Sequence, residues 1–231
     1  MKSVFATHRF PLQEVLPDFE QAAGYLHLTD DQQPAVDFVR AQTEALKQSG
    51  LEAVGGYVCC PVRRVDVKEG AIETDEGWLQ AGTQVCGYLK ESTTAALFLC
   101  TAGQIFREAY ERYQAQGDIL EAYLTDALGS LAVENAMDRI HASLETEMAA
   151  KGLRITNRYS PGYCNWPITD QKALFSIVGE NPTGILLNDS CLMSPMKSVS
   201  GIIGIGTDVR KRPYGCAVCQ NRTCIYRRLV K

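Results

Sequence analysis

Apolar positions along the chain switch between helical and strand spacing. Val36, Phe38, Val39, Thr43 and Leu46 follow a helical period, with Pro34 opening the helix and Gly50 at its C′ position. From Glu52 to Lys68 the β-formers Val54, Tyr57, Val58, Val62, Val65 and Val67 predict strands, interrupted at Pro61. Thr93 to Thr101, TTAALFLCT, reads as a buried strand. Gly103 to Gln116 follows as a helix, with Ile105, Phe106, Ala109, Tyr110 and Tyr113 on one face and Gly117 closing it.

The strongest pattern lies between Asp118 and Ala150. Apolar residues fall at 119/120, 123/124, 127/128, 131/132, 136/137, 140, 144 and 148, the stripe of an amphipathic helix. At about 1.5 Å per residue such a helix approaches 50 Å. Gly129-Ser130 is a point where it can bend or divide, and Gly152 is its natural stop. After that, Arg154 to Tyr159 reads as a strand and Pro161-Gly162 as a turn. Thr169 or Asp170 is positioned to N-cap a short helix through Ala173, Leu174, Ile177 and Val178. Asn181 to Gly184 is a turn, and Ile185 to Leu187 and Ser198 to Ile205 are strands. Residues 1–33 are polar and weakly patterned. The mixture predicts an α+β fold rather than a regular βαβ alternation.

Composition narrows the classes. The 231 residues are 45% hydrophobic and 22% charged, which excludes a disordered chain. A net charge of −4 does not predict a nucleic-acid binder. The N-terminus lacks the apolar core of a signal peptide. The longest apolar run, Ala95 to Cys100, is far short of the roughly 20 residues that span a membrane. The expectation is a cytoplasmic protein. The average charge hides two regions: residues 209–231 hold seven basic residues and no acid, so they carry +7 and the remainder −11.

Three of the nine Cys lie in that basic segment, as Cys216-x2-Cys219-x4-Cys224. Three close thiolates can share a zinc ion or an iron–sulfur cluster if a fourth ligand comes from elsewhere, such as Cys59, Cys60, Cys164 or Cys191. Free thiols or a thiol–disulfide role are the alternatives. The glycine series Gly201, Gly204 and Gly206 has the wrong order and setting for a dinucleotide loop and reads as a strand with close packing.

Arg158-Tyr159-Ser160-Pro161-Gly162-Tyr163 is the main candidate site. Arg158 offers a planar fork for a carboxylate. Gly162 permits close backbone approach, and Tyr163 offers a ring and a hydroxyl. Together they suit an amino-acid-like or nucleoside-like molecule; the alternative is a plain surface turn. Glu134 on the long helix gains a binding role only if its face meets this turn. His141, seven residues on, reads as a packed or capped histidine.

These residues resemble a known family. RYSPGY is similar to the R-x-x-x-G-Y motif of the activation domain of cobalamin-dependent methionine synthase, a module that binds S-adenosylmethionine. LGSLAVENAMDRIHASLETEM resembles the family's long helix before the motif, and SPMKSVSGI its apolar-Pro-x-x-SVSG strand. The resemblance runs from about Asp118 to Gly206. It implies an antiparallel sheet with flanking helices. It also implies that Arg158 contacts the ligand's carboxylate, that Ser160 contributes through its backbone, and that Gly162, Tyr163 and the helix residue Glu134 complete the site. No counterpart is found for the family's N-terminal Asp, and Tyr214 is only a loose match to its C-terminal aromatic pair.

The function implied is reductive reactivation, in which S-adenosylmethionine methylates a cobalamin while a donor such as a flavodoxin or ferredoxin supplies an electron. No cobalamin module is recognisable in the chain, so a separate methionine synthase or other corrinoid protein is the expected partner, with no nucleic acid and no membrane. Residues 1–208 are expected to form the activation-domain-like unit and 209–231 a basic Cys-containing tail. Two other readings stand beside this one: a scaffold subunit that kept the fold without the ligand, and a redox protein acting through Cys216, Cys219 and Cys224.

Overall fold

A computed structural model of the chain describes residues 2–29 and 31–212. Its elements are β1 (Ala6–Pro11), α1 (Leu12–Val15), α2 (Phe19–Leu26), α3 (Gln33–Lys47), β2 (Glu52–Asp66), β3 (Ala71–Thr74), β4 (Gly77–Leu79) and α4 (Gly82–Leu89). There follow β5 (Thr94–Thr101), α5 (Ile105–Gln116), α6 (Ile119–Ala150), β6 (Arg154–Tyr159), α7 (Gln171–Val178), β7 (Leu186–Leu187), β8 (Met193–Ser194) and β9 (Ser198–Gly206). The main sheet has the order β4-β3-β2-β5-β9-β6, with β1 also on β2, and every pairing is antiparallel. β7 and β8 form a separate hairpin. The expected α+β architecture with one long helix is what the chain adopts.

Helices cover both faces of the sheet, which explains why β5 reads as continuous apolar sequence. Ala96, Phe98 and Cys100 point into a core shared with α1, α2, α3, α5 and α6. Ala95, Leu97 and Leu99 point into a second core under α4 and α7. The larger of these side chains, Leu97, Phe98 and Leu99, each contribute about 1.5–3 kcal/mol on burial. Among the described residues no helix is long and apolar enough to cross a membrane.

α6 runs unbroken for 32 residues, about 48 Å. Gly129 does not divide it. A Cβ there would lie 2.7 Å from Cγ of Phe106 on α5 and 2.8 Å from Cγ of Lys197, so the glycine permits close packing. Beside it, the buried Lys197 ammonium pairs with Asp126 at 2.6 Å and donates to Ser130 Oγ. The predicted stripe is buried from Leu124 onward; Ile119, Leu120 and Tyr123 near the start of the helix are exposed.

Four local expectations are corrected. Pro61 does not interrupt β2: the ladder to β1 has ended at Tyr57, the ladder to β5 reaches its last pair at Pro61, and the ladder to β3 begins at Val62. The missing N–H therefore falls between ladders. The polar N-terminal segment holds β1, α1 and α2, and Asp18 Oδ1 caps α2 by accepting from Gln21 N at 2.7 Å. The stretch after Lys68, where the pattern marks no element, folds into β3, β4 and α4. Asp170 precedes α7 without capping it. Its carboxylate instead accepts from Trp166 Nε1 at 2.6 Å and Gln80 N at 2.9 Å, tying the loop to β4.

Candidate functional site

β6 ends at Tyr159, and the chain then turns sharply. Gly162, at φ +94°, donates its N–H to Trp166 O at 2.8 Å, while Tyr163 N donates to Ser160 O. Positive φ at this point is the conformation glycine takes without strain. Trp166 is fully buried and anchors the turn from below. The turn thus has fixed geometry beside a cleft.

Alternation along β6 sends Tyr159 and Arg158 to opposite faces. Tyr159 stacks on Tyr88 of α4, with ring centroids 5.2 Å apart. Arg158 points toward α6, where its Nη2 lies 3.1 Å from Glu134 Oε2 and 2.8 Å from Asp138 Oδ1. Nη1 of the same guanidinium is buried and has no hydrogen-bond partner among the described residues. A buried donor without a partner is costly, so this atom is suited to receive an acceptor from a ligand.

These groups open on a cavity of about 1480 Å³. Its walls are α6 (Glu134, Asp138, His141), the end of β6 and its turn (Asn157, Arg158, Ser160, Tyr163), the start of β9 (Ser198, Ser200) and the β7–β8 hairpin. Glu134, Arg158, Ser160 and Tyr163 therefore meet in one place. Gly162 lies in the same turn but does not line the cavity; a Cβ on it would crowd Ile168 Cδ1 at 3.3 Å.

Partial burial raises Glu134 above the usual carboxylate range, while the Arg158 guanidinium opposes that shift. His141 is held below its ordinary pKa of 6.5, chiefly by burial. Its Nε2 lies 3.1 Å from Thr156 O. A carbonyl only accepts, so Nε2 carries the proton and the ring is a packed, capped group. Ser200 Oγ donates to Gln171 Oε1 at 3.0 Å on the cavity floor.

Sequence reasoning missed Asp138, Asn157, Gln171 and Ser200. Asp138 had a readable signal, since it stands four residues after Glu134 and therefore shares its helix face. Cys216, Cys219 and Cys224 lie outside the described residues. Among the described residues no three His, Cys, Asp or Glu gather to hold a metal, and Cys59, Cys60, Cys164 and Cys191 are not in disulfides.

Comparison with known proteins bears on this geometry. A solved structure of the MetH reactivation domain bound to AdoHcy has the same fold, with a TM-score of 0.61, 16% identity, and coverage of 92% of this chain and 81% of that one. No curated protein matches the chain by sequence. The family model for the activation domain of vitamin B12 dependent methionine synthase matches residues 87–222, more than half of the chain. By that match, the chain belongs to the activation-domain family of vitamin B12 dependent methionine synthase.

Proposed function

We propose that the chain binds S-adenosylmethionine between α6 and the 158–163 turn. On this reading it supports, in trans, the reductive methylation of cobalamin held by a methionine synthase or another corrinoid protein. The observation that carries the reading is Arg158, which is fixed by Glu134 and Asp138 at the mouth of the cavity and keeps one buried donor unpaired. That donor receives the ligand's carboxylate. The backbone at Ser160, the Gly162 turn and the Tyr163 ring flank the rest of the molecule.

The work asked of this site is positioning. An external donor such as a flavodoxin or ferredoxin supplies the electron that reduces cobalt. The reduced cobalt gives an electron pair to the methyl carbon, and the carbon–sulfur bond breaks with its pair left on sulfur. The sulfonium becomes a neutral thioether and no proton moves. The site needs no general base, which suits the capped, proton-donating His141.

Calorimetric titration tests the reading. S-Adenosylmethionine is expected to bind the wild type, and Arg158→Ala is expected to weaken binding about 30-fold or more, the usual cost of truncating a buried charged partner. Absence of binding to the wild type at millimolar ligand would leave a scaffold subunit as the better account.

A further inference from the structure

Six of the nine Cys lie among the described residues. Five of them sit where a thiol serves packing. Cys60, Cys86 and Cys100 are fully buried, and burial pushes the thiols of Cys60 and Cys86 up to about 11 and that of Cys100 up to about 12. Cys191 is buried too, with its Sγ donating to Thr169 O at 3.9 Å. Cys59 is partly buried, and its thiol is raised by burial and by the nearby Glu147 carboxylate. Raised thiols are poor metal ligands, because the thiolate is the form that ligates. Cys164 is the sixth. It lies inside the turn that Gly162 N closes onto Trp166 O, partly buried, on the wall of the cavity.

The described chain ends on the same cavity. Asn157 grips Arg212 twice: its Oδ1 accepts from Arg212 N at 2.7 Å, and its Nδ2 donates to Arg212 O at 3.1 Å. Asn157, Lys211 and Cys164 all line the cavity. Cys216 follows Arg212 by four residues, so covalent geometry keeps its Cα within about 14 Å of the Arg212 Cα. Cys219 and Cys224, outside the described residues like Cys216, follow at gaps of x2 and x4. Both gaps are usual between paired zinc thiolates. The plant-type iron–sulfur run has them in the opposite order, x4 before x2. By contrast Cys59 shares a row with Ala96, Ile203 and Arg158, and so stands three strands, about 14 Å, from the strand that holds Asn157.

We propose that Cys164, Cys216, Cys219 and Cys224 form a four-thiolate zinc site that clips the C-terminal segment to the turn carrying Ser160, Gly162 and Tyr163. A structural zinc takes four tetrahedral ligands, so the three Cys of the segment need one more from the body. Cys164 is the thiol placed to supply it. Each thiol gives its proton to solvent as the metal binds. Zinc with four thiolates carries two negative charges. Residues 213–231 hold Arg222, Arg227, Arg228 and Lys231 and no acid, so the segment favours the thiolates and offsets that charge. The site stands apart from the reading of the cavity as a place for S-adenosylmethionine, since zinc is held whether or not that ligand binds.

The test uses the full chain, kept reduced and without oxygen, with zinc as the only added metal. After dialysis the wild type is expected to keep about one zinc per chain by elemental analysis. Alkylation with mass mapping should find Cys164, Cys216, Cys219 and Cys224 protected while zinc is bound and reactive once a chelator strips it, with Cys59 reacting at the same rate in both states. Cys164→Ser should weaken zinc about 100-fold or more, because loss of an outer-shell partner alone costs about 10–100-fold. Cys59→Ser should hold zinc as the wild type does. The mapping needs no variant, so a misfolded Cys164→Ser chain does not blunt it. A wild type that keeps no zinc would overturn the proposal, as would iron with acid-labile sulfide in place of zinc. Zinc bound while Cys164 stays reactive would overturn it as well, since the segment would then be free of the turn. Zinc held with this protection pattern by a chain that binds no S-adenosylmethionine would support the metal site and count against the ligand reading alone.

Discussion

His141 links the chemistry of one side chain to the stability of the whole. Its folded pKa is depressed, chiefly by burial, with Lys211 and Arg158 adding repulsion and the Thr156 carbonyl opposing them. The unfolded chain therefore takes up a proton near pH 6.5 that the folded chain resists. Stability from this group is fully present above that value and is lost as pH falls through it toward the folded pKa. In urea unfolding at pH 7.5 and pH 5.5, the wild type should lose more stability between the two than His141→Gln does. Equal losses would show that the ring is freely hydrated. At this scale Arg158 and Glu134 were legible through the resemblance of RYSPGY and the long-helix segment to the family's motifs; read alone, the turn and the helical Glu left a plain surface role open. Asp138 offered only its spacing of four from Glu134, because an acid on a helix surface otherwise looks the same whether it faces solvent or an arginine.

At the scale of elements, α6, β5, β6 and β9 follow from periodicity, since each is long and buries one or both faces. β1, α1 and α2 escaped because their cores are assembled from single residues such as Leu12, Val15 and Ala22, packed against partners far along the chain. Long-range contacts of that kind leave no local pattern. β9 shows what its glycines are for. A Cβ on Gly204 would clash with Ser92 Oγ and meet Leu89 Cδ2 at 2.7 Å, so the bare backbone lets α4 and the turn after it sit against the sheet. Gly204→Ala is expected to cost about 1–3 kcal/mol by overpacking. Ser92 Oγ is buried without a hydrogen-bond partner among the described residues. Ser92→Gly in the same chain should therefore recover part of the loss, which double-mutant urea unfolding would measure.

Across the whole molecule, the cavity of about 1480 Å³ exceeds the 300–1,000 Å³ or so usual for one small ligand. Its rim carries Tyr163, Ile168, Leu186, Leu192 and Met196, all exposed. On the proposed function, this rim is where the cobalamin-bearing partner approaches. Leu186→Ser with Leu192→Ser should lower methyl transfer to a corrinoid protein several-fold while leaving S-adenosylmethionine affinity near wild type. A matching loss in both would tie the rim to the small ligand instead. At the other end of the described chain, Val209 is buried, Lys211 pairs with Glu145, and Arg212 lies over Tyr88. The first residues of the basic segment are thus part of the body.

The strand order also sets a schedule. Among the described residues β6 pairs only with β9, and β9 is also the second neighbour of β5. During synthesis β2 and β5 can pair early, but the sheet cannot close until the chain has been made through residue 206. Until then β5 offers an open edge and β6 has no neighbour, an arrangement that invites aggregation. The arginine at the end of β6 reaches its final place only when that late strand slides in. The candidate site is therefore among the last parts of the molecule to be born, and on the proposed function a nascent or prematurely ended chain would have nothing with which to grip its ligand.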